Sequence, residues 1–170
     1  MRILWVSVAA FTALAVQTTV GLGAPSGFTV DLVLVLVVYV ALTAGPAPGM
    51  LTGTVVGLAQ DALSGGVVGV GGLAKTLVGY AAGVMGAQFI VTNAGPRFVV
   101  FFLSSLVHAA AFMGFHSVLG LGRFPSPYRT ALVQSTANAV VGLVALHVVE
   151  RLPGYLERRR VDRMYRKRRR

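Results

Sequence analysis

The sequence predicts an all-α integral membrane protein with six transmembrane helices, and three observations carry that prediction. The chain has 170 residues, 55% of them hydrophobic and 12% charged, whereas a globular domain facing water carries roughly 25% charged residues. Between Arg2 and Glu150 the charged side chains are Asp31, Asp61, Lys75, Arg97, Arg123 and Arg129 alone, too few to cover a water-facing surface. The apolar runs are also divided by short Gly- and Pro-rich breaks. Their spacing suits helices of about 20 residues, the length that crosses about 30 Å of hydrocarbon.

The first span is read over residues 3–22 and ends in "GLGAPSG". The second, 28–43, is almost wholly Val and Leu and is stopped by "GPAPG". The third, 49–63, is short, and "SGG" turns the chain into a fourth over 67–91. "TNAGPR" precedes a fifth over 98–121, and "GRFPSPYR" leads to a sixth over 130–149. Residues 1–150 then form a six-helix transmembrane domain and 151–170 a basic cytoplasmic tail, with loops too short for a soluble domain.

An even number of spans puts both termini on one side. The tail "ERRRVDRMYRKRRR" marks that side as cytoplasmic by the positive-inside rule. Arg2, Arg97 and the ten basic residues of the tail then lie inside, against Arg123 and Arg129 outside. Read as a signal peptide, the first span is too long and its single Arg2 too thin a basic flank. The expected location is a bacterial cytoplasmic membrane. The absence of cysteine excludes disulfides, thiolate metal sites and thiol catalysis.

"GMLTGTVVGLAQD" places Gly49, Gly53, Gly57 and Asp61 at intervals of four, on one face of a helix. Gly79 and Gly83 form a second stripe on the fourth span. Between helices in lipid there is no hydrophobic drive, so small residues at this spacing serve close backbone approach. The stripes fit packing within the bundle or against another protein's helix, and the spacing does not separate the two.

A charge near the bilayer centre costs roughly 2.5–3.5 kcal/mol on insertion scales, so it must find a partner or an interface. Asp31, Asp61 and Lys75 are expected to form an intramembrane polar cluster, with the Lys75 stem reaching toward Asp61 or Asp31. Were Asp61 the direct partner, exchanging its charge with that of Lys75 should rescue either single variant.

"GVGGLAKT", residues 69–76, fails as a phosphate loop, because Ala74 stands where glycine is needed and no strand precedes it. His108 and His116 lie eight apart with Phe112 between them, without the carboxylates or closer spacing of a metal site, and a buried, hydrogen-bonded histidine is expected. Gln134, Asn138 and Gly142 repeat at four-residue spacing, suited to interhelical hydrogen bonds. No catalytic constellation is present, so no enzyme, metal or cofactor is expected. Arg158, Arg159, Arg160, Arg166, Lys167 and Arg168 are expected to meet anionic lipid headgroups, at about 1 kcal/mol per basic residue near the surface, or a cytoplasmic protein. Lipid suffices to explain the tail without nucleic acid.

The central segment, "FTVDLVLVLVVYVAL" followed by "GMLTGTVVGLAQDALSGGVVGVGGLAKTLVGYAAG", resembles the bacterial rod shape-determining protein family MreD. The resemblance rests on Val30-Asp31-Leu32, on Gly53, Gly57, Leu58 and Asp61, on Val68-Gly69 and on Gly79-Tyr80. The family's proline before the aspartate is absent. The resemblance implies a non-enzymatic scaffold of the elongasome, the machinery of side-wall peptidoglycan synthesis. It implies association with a bitopic MreC-like protein and, through it, with MreB, a RodA-type glycosyltransferase and its transpeptidase. It also implies a fold similar to the S-components of energy-coupling-factor transporters. The alternative function is therefore a vitamin-binding S-component, for which Asp31, Asp61 and Lys75 would supply the polar groups.

Overall fold

The computed structural model describes residues 2–21, 30–65, 67–88, 93–120 and 127–168, with side chains over 4–19, 30–65, 67–88, 93–120 and 128–150. Six helices follow one another: α1 (Arg2–Gly21), α2 (Leu32–Ala44), α3 (Pro46–Ser64), α4 (Val70–Gln88), α5 (Ala94–Val118) and α6 (Pro127–Arg168). α5 and the 23 residues Tyr128–Glu150 of α6 are long and apolar enough to cross a membrane. This is the pattern of a polytopic helical membrane protein.

Local chemistry sets several boundaries away from where the apolar runs end. α2 has only 13 residues because Asp31 caps its start, with Oδ1 accepting from Leu34 N at 2.9 Å. Its other end stops at Gly45, whose φ of 98° an L side chain rarely adopts. Pro46 opens α3 immediately afterwards, in the first turn where a missing N–H breaks no helical bond. The run "PAPG", expected as a loop, thus lengthens the short third span to 19 residues. α5 likewise takes Gly95 and Pro96 into its first turn. α6 continues past Glu150 to Arg168, so the backbone is helical into the segment expected as a tail. The side chains of Arg158, Arg159, Arg160, Arg166, Lys167 and Arg168 lie outside the described residues.

α2 is the centre of the bundle. Val33, Leu34, Val35, Val37, Val38, Val40 and Ala41 are buried around most of its circumference, as expected of a helix apolar on all sides. One core cluster joins Leu34 and Val38 to Val78 of α4, Phe101 of α5, and Ala139 and Leu146 of α6. A second joins Val33 and Val37 to Ala10 of α1 and Val56 of α3. Arg97, at the start of α5, forks onto Glu150 of α6 through bonds of 2.6 and 2.8 Å. These two helices therefore run antiparallel, with the first turn of α5 beside the residue where the apolar part of α6 ends.

Candidate functional site: a buried polar network and a glycine seam

The two glycine stripes face each other. A Cβ built on Gly49 would lie 2.6 Å from the Gly79 carbonyl oxygen, and one on Gly57 would lie 2.8 Å from the Gly72 Cα. On Gly53 it would run into the backbone of Lys75 and Thr76, and on Gly83 into that of Gly45 and Pro46. Residue numbers rise along α3 as they fall along α4, which is the register of an antiparallel pair in backbone contact. The Thr54 and Thr76 hydroxyls bond across the same seam at 2.8 Å. Small-residue packing of this kind supplies the van der Waals attraction that lipid-embedded helices must rely on.

The seam also delivers Lys75. Its stem passes Gly57, where a Cβ would already touch the lysine Cδ at 3.4 Å. Beyond that point the ammonium donates to Asp31 Oδ2 at 2.8 Å and to His108 Nε2 at 3.2 Å. An ammonium has no acceptor, so the His108 tautomer that fits is neutral, with its proton on Nδ1. Asp31 divides its oxygens: Oδ1 caps α2 and Oδ2 pairs with Lys75. Its backbone N–H donates to Asn138 Oδ1 at 2.8 Å, and Asn138 Nδ2 donates to Ser105 Oγ, also at 2.8 Å.

Asp31, Lys75, His108, Ser105 and Asn138 are all buried, none more than 8% exposed. Removing such charges from solvent costs several kcal/mol per ion, and only close pairing with further hydrogen bonds offsets it. Here the charges cancel within the group. The result is one polar tie among α2, α4, α5 and α6, in which acid, base and amide are engaged with one another. Among the described residues no group of three or more His, Cys, Asp or Glu side chains could hold a metal ion.

Asp61 stands apart from this group: of the two acids toward which the Lys75 stem was expected to reach, Asp31 is the one it meets. Its Oδ2 accepts from Gly69 N at 2.9 Å and Gly72 N at 3.0 Å, capping the start of α4. The α4 N–H groups lack helical acceptors there, and a carboxylate satisfies them and suits the helix dipole. The cluster read from sequence therefore divides into an Asp31–Lys75 pair and a capping Asp61. Sequence reasoning missed His108 and Ser105 as members of the network. Asn138 was visible as part of a polar stripe, but its partner is 107 residues away. Gly142 of that stripe packs under the Phe101 ring. Farther along α5, Phe112 lies between His108 and His116, with ring centroids 6.0 and 5.0 Å apart.

Comparison with known proteins adds a family. No curated protein and no solved structure matches the chain. Residues 1–148 match the family described as rod shape-determining protein MreD. The match runs through the glycine seam, both capping aspartates and the whole polar network. That family's part in bacterial rod-shape determination and elongasome biology is membrane-associated and non-enzymatic, and this chain belongs to it.

Proposed function

We propose that the chain is a six-span adaptor of the bacterial cytoplasmic membrane, with both termini cytoplasmic, built on a bundle similar to the S-components of energy-coupling-factor transporters. It would hold the transmembrane helix of an MreC-like bitopic protein and, through it, link MreB to the RodA-type glycosyltransferase and its transpeptidase. The observation that carries this reading is the mutual pairing of the buried charges. Asp31 and Lys75, the charges an S-component would present to a ligand, are bonded to each other with side chains 5% and 3% exposed. A bundle whose buried charges bind each other is suited to rigidity, and its working surfaces are the outward helix faces.

The orientation rests on charge. The Arg97–Glu150 fork brings the start of α5 to the point where the basic segment of α6 begins, and positively charged flanks favour the cytoplasm. Residues 1–150 would be the membrane domain. Arg158, Arg159, Arg160, Arg166, Lys167 and Arg168 would contact anionic headgroups or a cytoplasmic protein. Gly49, Gly53, Gly57, Gly79 and Gly83 would act from within, by keeping α3 and α4 in register, and Asp61 by fixing the start of α4.

The test is affinity purification of the tagged full chain from membranes of its own host, after mild cross-linking. Recovery of the MreC-like and RodA-type proteins is the expected result. Recovery of transporter ATPase subunits together with a retained vitamin would replace the adaptor by an S-component.

A further inference from the structure

α6 does not stop where its apolar part does. The membrane-length stretch ends at Glu150, and the backbone stays helical to Arg168. The point of departure is fixed, because Arg97 at the start of α5 holds Glu150 through two bonds. Pro153 follows within one turn. It has no N–H to give the Val149 carbonyl, its ring crowds that carbonyl, and Gly154 beside it is the poorest helix former after proline. Bends in helices concentrate at such positions. At about 1.5 Å per residue this one lies about 5 Å beyond Glu150, at headgroup level.

Beyond Gly154 the helical register sorts the sequence. Arg159, Arg160, Arg163, Arg166 and Lys167 are related by steps of three, four and seven, and so share one face. Glu157 and Asp162 fall outside it. Val161, Met164 and Tyr165 share the opposite face by the same rule, with Arg158 and Arg168 beside them. A face of Lys and Arg, an apolar face opposite and low overall hydrophobicity mark a helix that lies in a membrane interface. A straight continuation of α6 would serve neither face. It would leave Val161, Met164 and Tyr165 in water and carry Arg163 about 20 Å past Glu150, whereas the potential of an anionic leaflet fades within about 8 Å.

We propose that α6 bends at Pro153–Gly154 and lays residues 155–168 along the cytoplasmic leaflet as an anionic-phospholipid-binding helix, with its Val161–Met164–Tyr165 face at the acyl boundary. The proposal takes the cytoplasmic C-terminus from the reading above, and narrows the two contacts offered there for the basic segment to lipid. The bundle is then held in the bilayer by an arm that runs in the membrane plane and starts from the Arg97–Glu150 fork.

The chain has no cysteine, so one spin label can be placed at Met164→Cys or Arg163→Cys of the full chain, in nanodiscs of phosphatidylcholine with or without phosphatidylglycerol. With phosphatidylglycerol, oxygen should relax the label at 164 and a water-soluble nickel chelate the label at 163. Without it, nickel should reach both. Arg159→Gln combined with Arg166→Gln should lower the bound-to-free ratio at 164 by roughly tenfold to thirtyfold, from about 1 kcal/mol per basic residue. Pro153→Ala should lower it as well, by straightening the helix. Nickel access at both positions in either lipid, immersion that ignores phosphatidylglycerol, or binding unchanged by Pro153→Ala would overturn the assignment. So would a label that stays in water until cytoplasmic extract immobilises it, which would give the basic face to a protein. Labelling of Met164→Cys in intact cells by a membrane-impermeant maleimide would overturn the cytoplasmic placement itself. Protection from that reagent together with a failed nanodisc result would overturn the lipid-bound helix alone.

Discussion

Lys75 Nζ lies 2.8 Å from Asp31 Oδ2, and the two side chains are 3% and 5% exposed. This is a buried ion pair whose partners sit 44 residues apart, at the start of α2 and in the second turn of α4. Breaking one side of such a pair typically costs about 3–5 kcal/mol, because a charge is left buried without its counterpart. Lys75→Met and Asp31→Asn are each expected to lower the melting temperature of the detergent-purified protein. The double variant should be more stable than the sum of the two losses implies, because no unpaired charge remains. Thermal unfolding of the four proteins measures the coupling, and strictly additive losses would remove the pair from the account.

Asp61 should behave as a helix cap. Asp61→Ala is expected to destabilise by about 1 kcal/mol, the usual loss for a capping side chain, while Asp61→Asn keeps an acceptor and costs less. The charge exchange Asp61→Lys with Lys75→Asp should give no rescue, since Asp61 bonds the Gly69 and Gly72 amides. Rescue in the same unfolding assay would restore the direct pairing that the geometry denies.

The glycine seam predicts a contrast between positions. Gly53→Leu and Gly79→Leu drive side chains into the facing backbone, and overpacking of this kind typically costs 1–3 kcal/mol or more. A Cβ on Gly114 meets nothing within 4 Å. Gly114→Ala should therefore be neutral or stabilising by roughly 0.5–1 kcal/mol, through the lower backbone entropy of alanine. Size-exclusion profiles and melting temperatures separate the two classes, and equal behaviour would mean that α3 and α4 are not in backbone contact.

Arg97 and Glu150 make a bidentate pair, but Glu150 is half exposed at 48%. Exposed pairs contribute about 0.2–1 kcal/mol and weaken with salt. A double-mutant cycle with Arg97→Ala and Glu150→Ala should give a coupling in that range at low salt and a smaller one at high salt. A coupling of several kcal/mol would place this pair in a much drier setting.

How much of this was legible depended on the range of the interaction. The stripes at Gly49, Gly53, Gly57, Gly79 and Gly83 could be read because helical periodicity is local, although which surface they met could not. Their facing each other depends on the one-residue turn at Gly45 and on how α3 and α4 are joined. The need of Lys75 for an acidic partner was equally plain from its apolar surroundings. The choice of Asp31 over Asp61 was not. Asp61 is nearer in sequence, but the unpaired amides at the start of α4 take it first. The contact of Asn138 with the Asp31 amide spans the whole bundle, and no spacing rule reaches that far. The start of α3 was misplaced for a local reason, because prolines that end one helix also suit the first turn of the next.

The most direct test of the adaptor account is depletion of this protein in its own host, with cell shape and fluorescent labelling of new side-wall peptidoglycan followed together. The account predicts that rods round up and that side-wall incorporation loses its organised pattern. Re-expression of the unmodified chain should restore both, and Gly53→Leu should not. Cells that keep their rod shape and labelling pattern through depletion, and instead lose uptake of a vitamin, would contradict it.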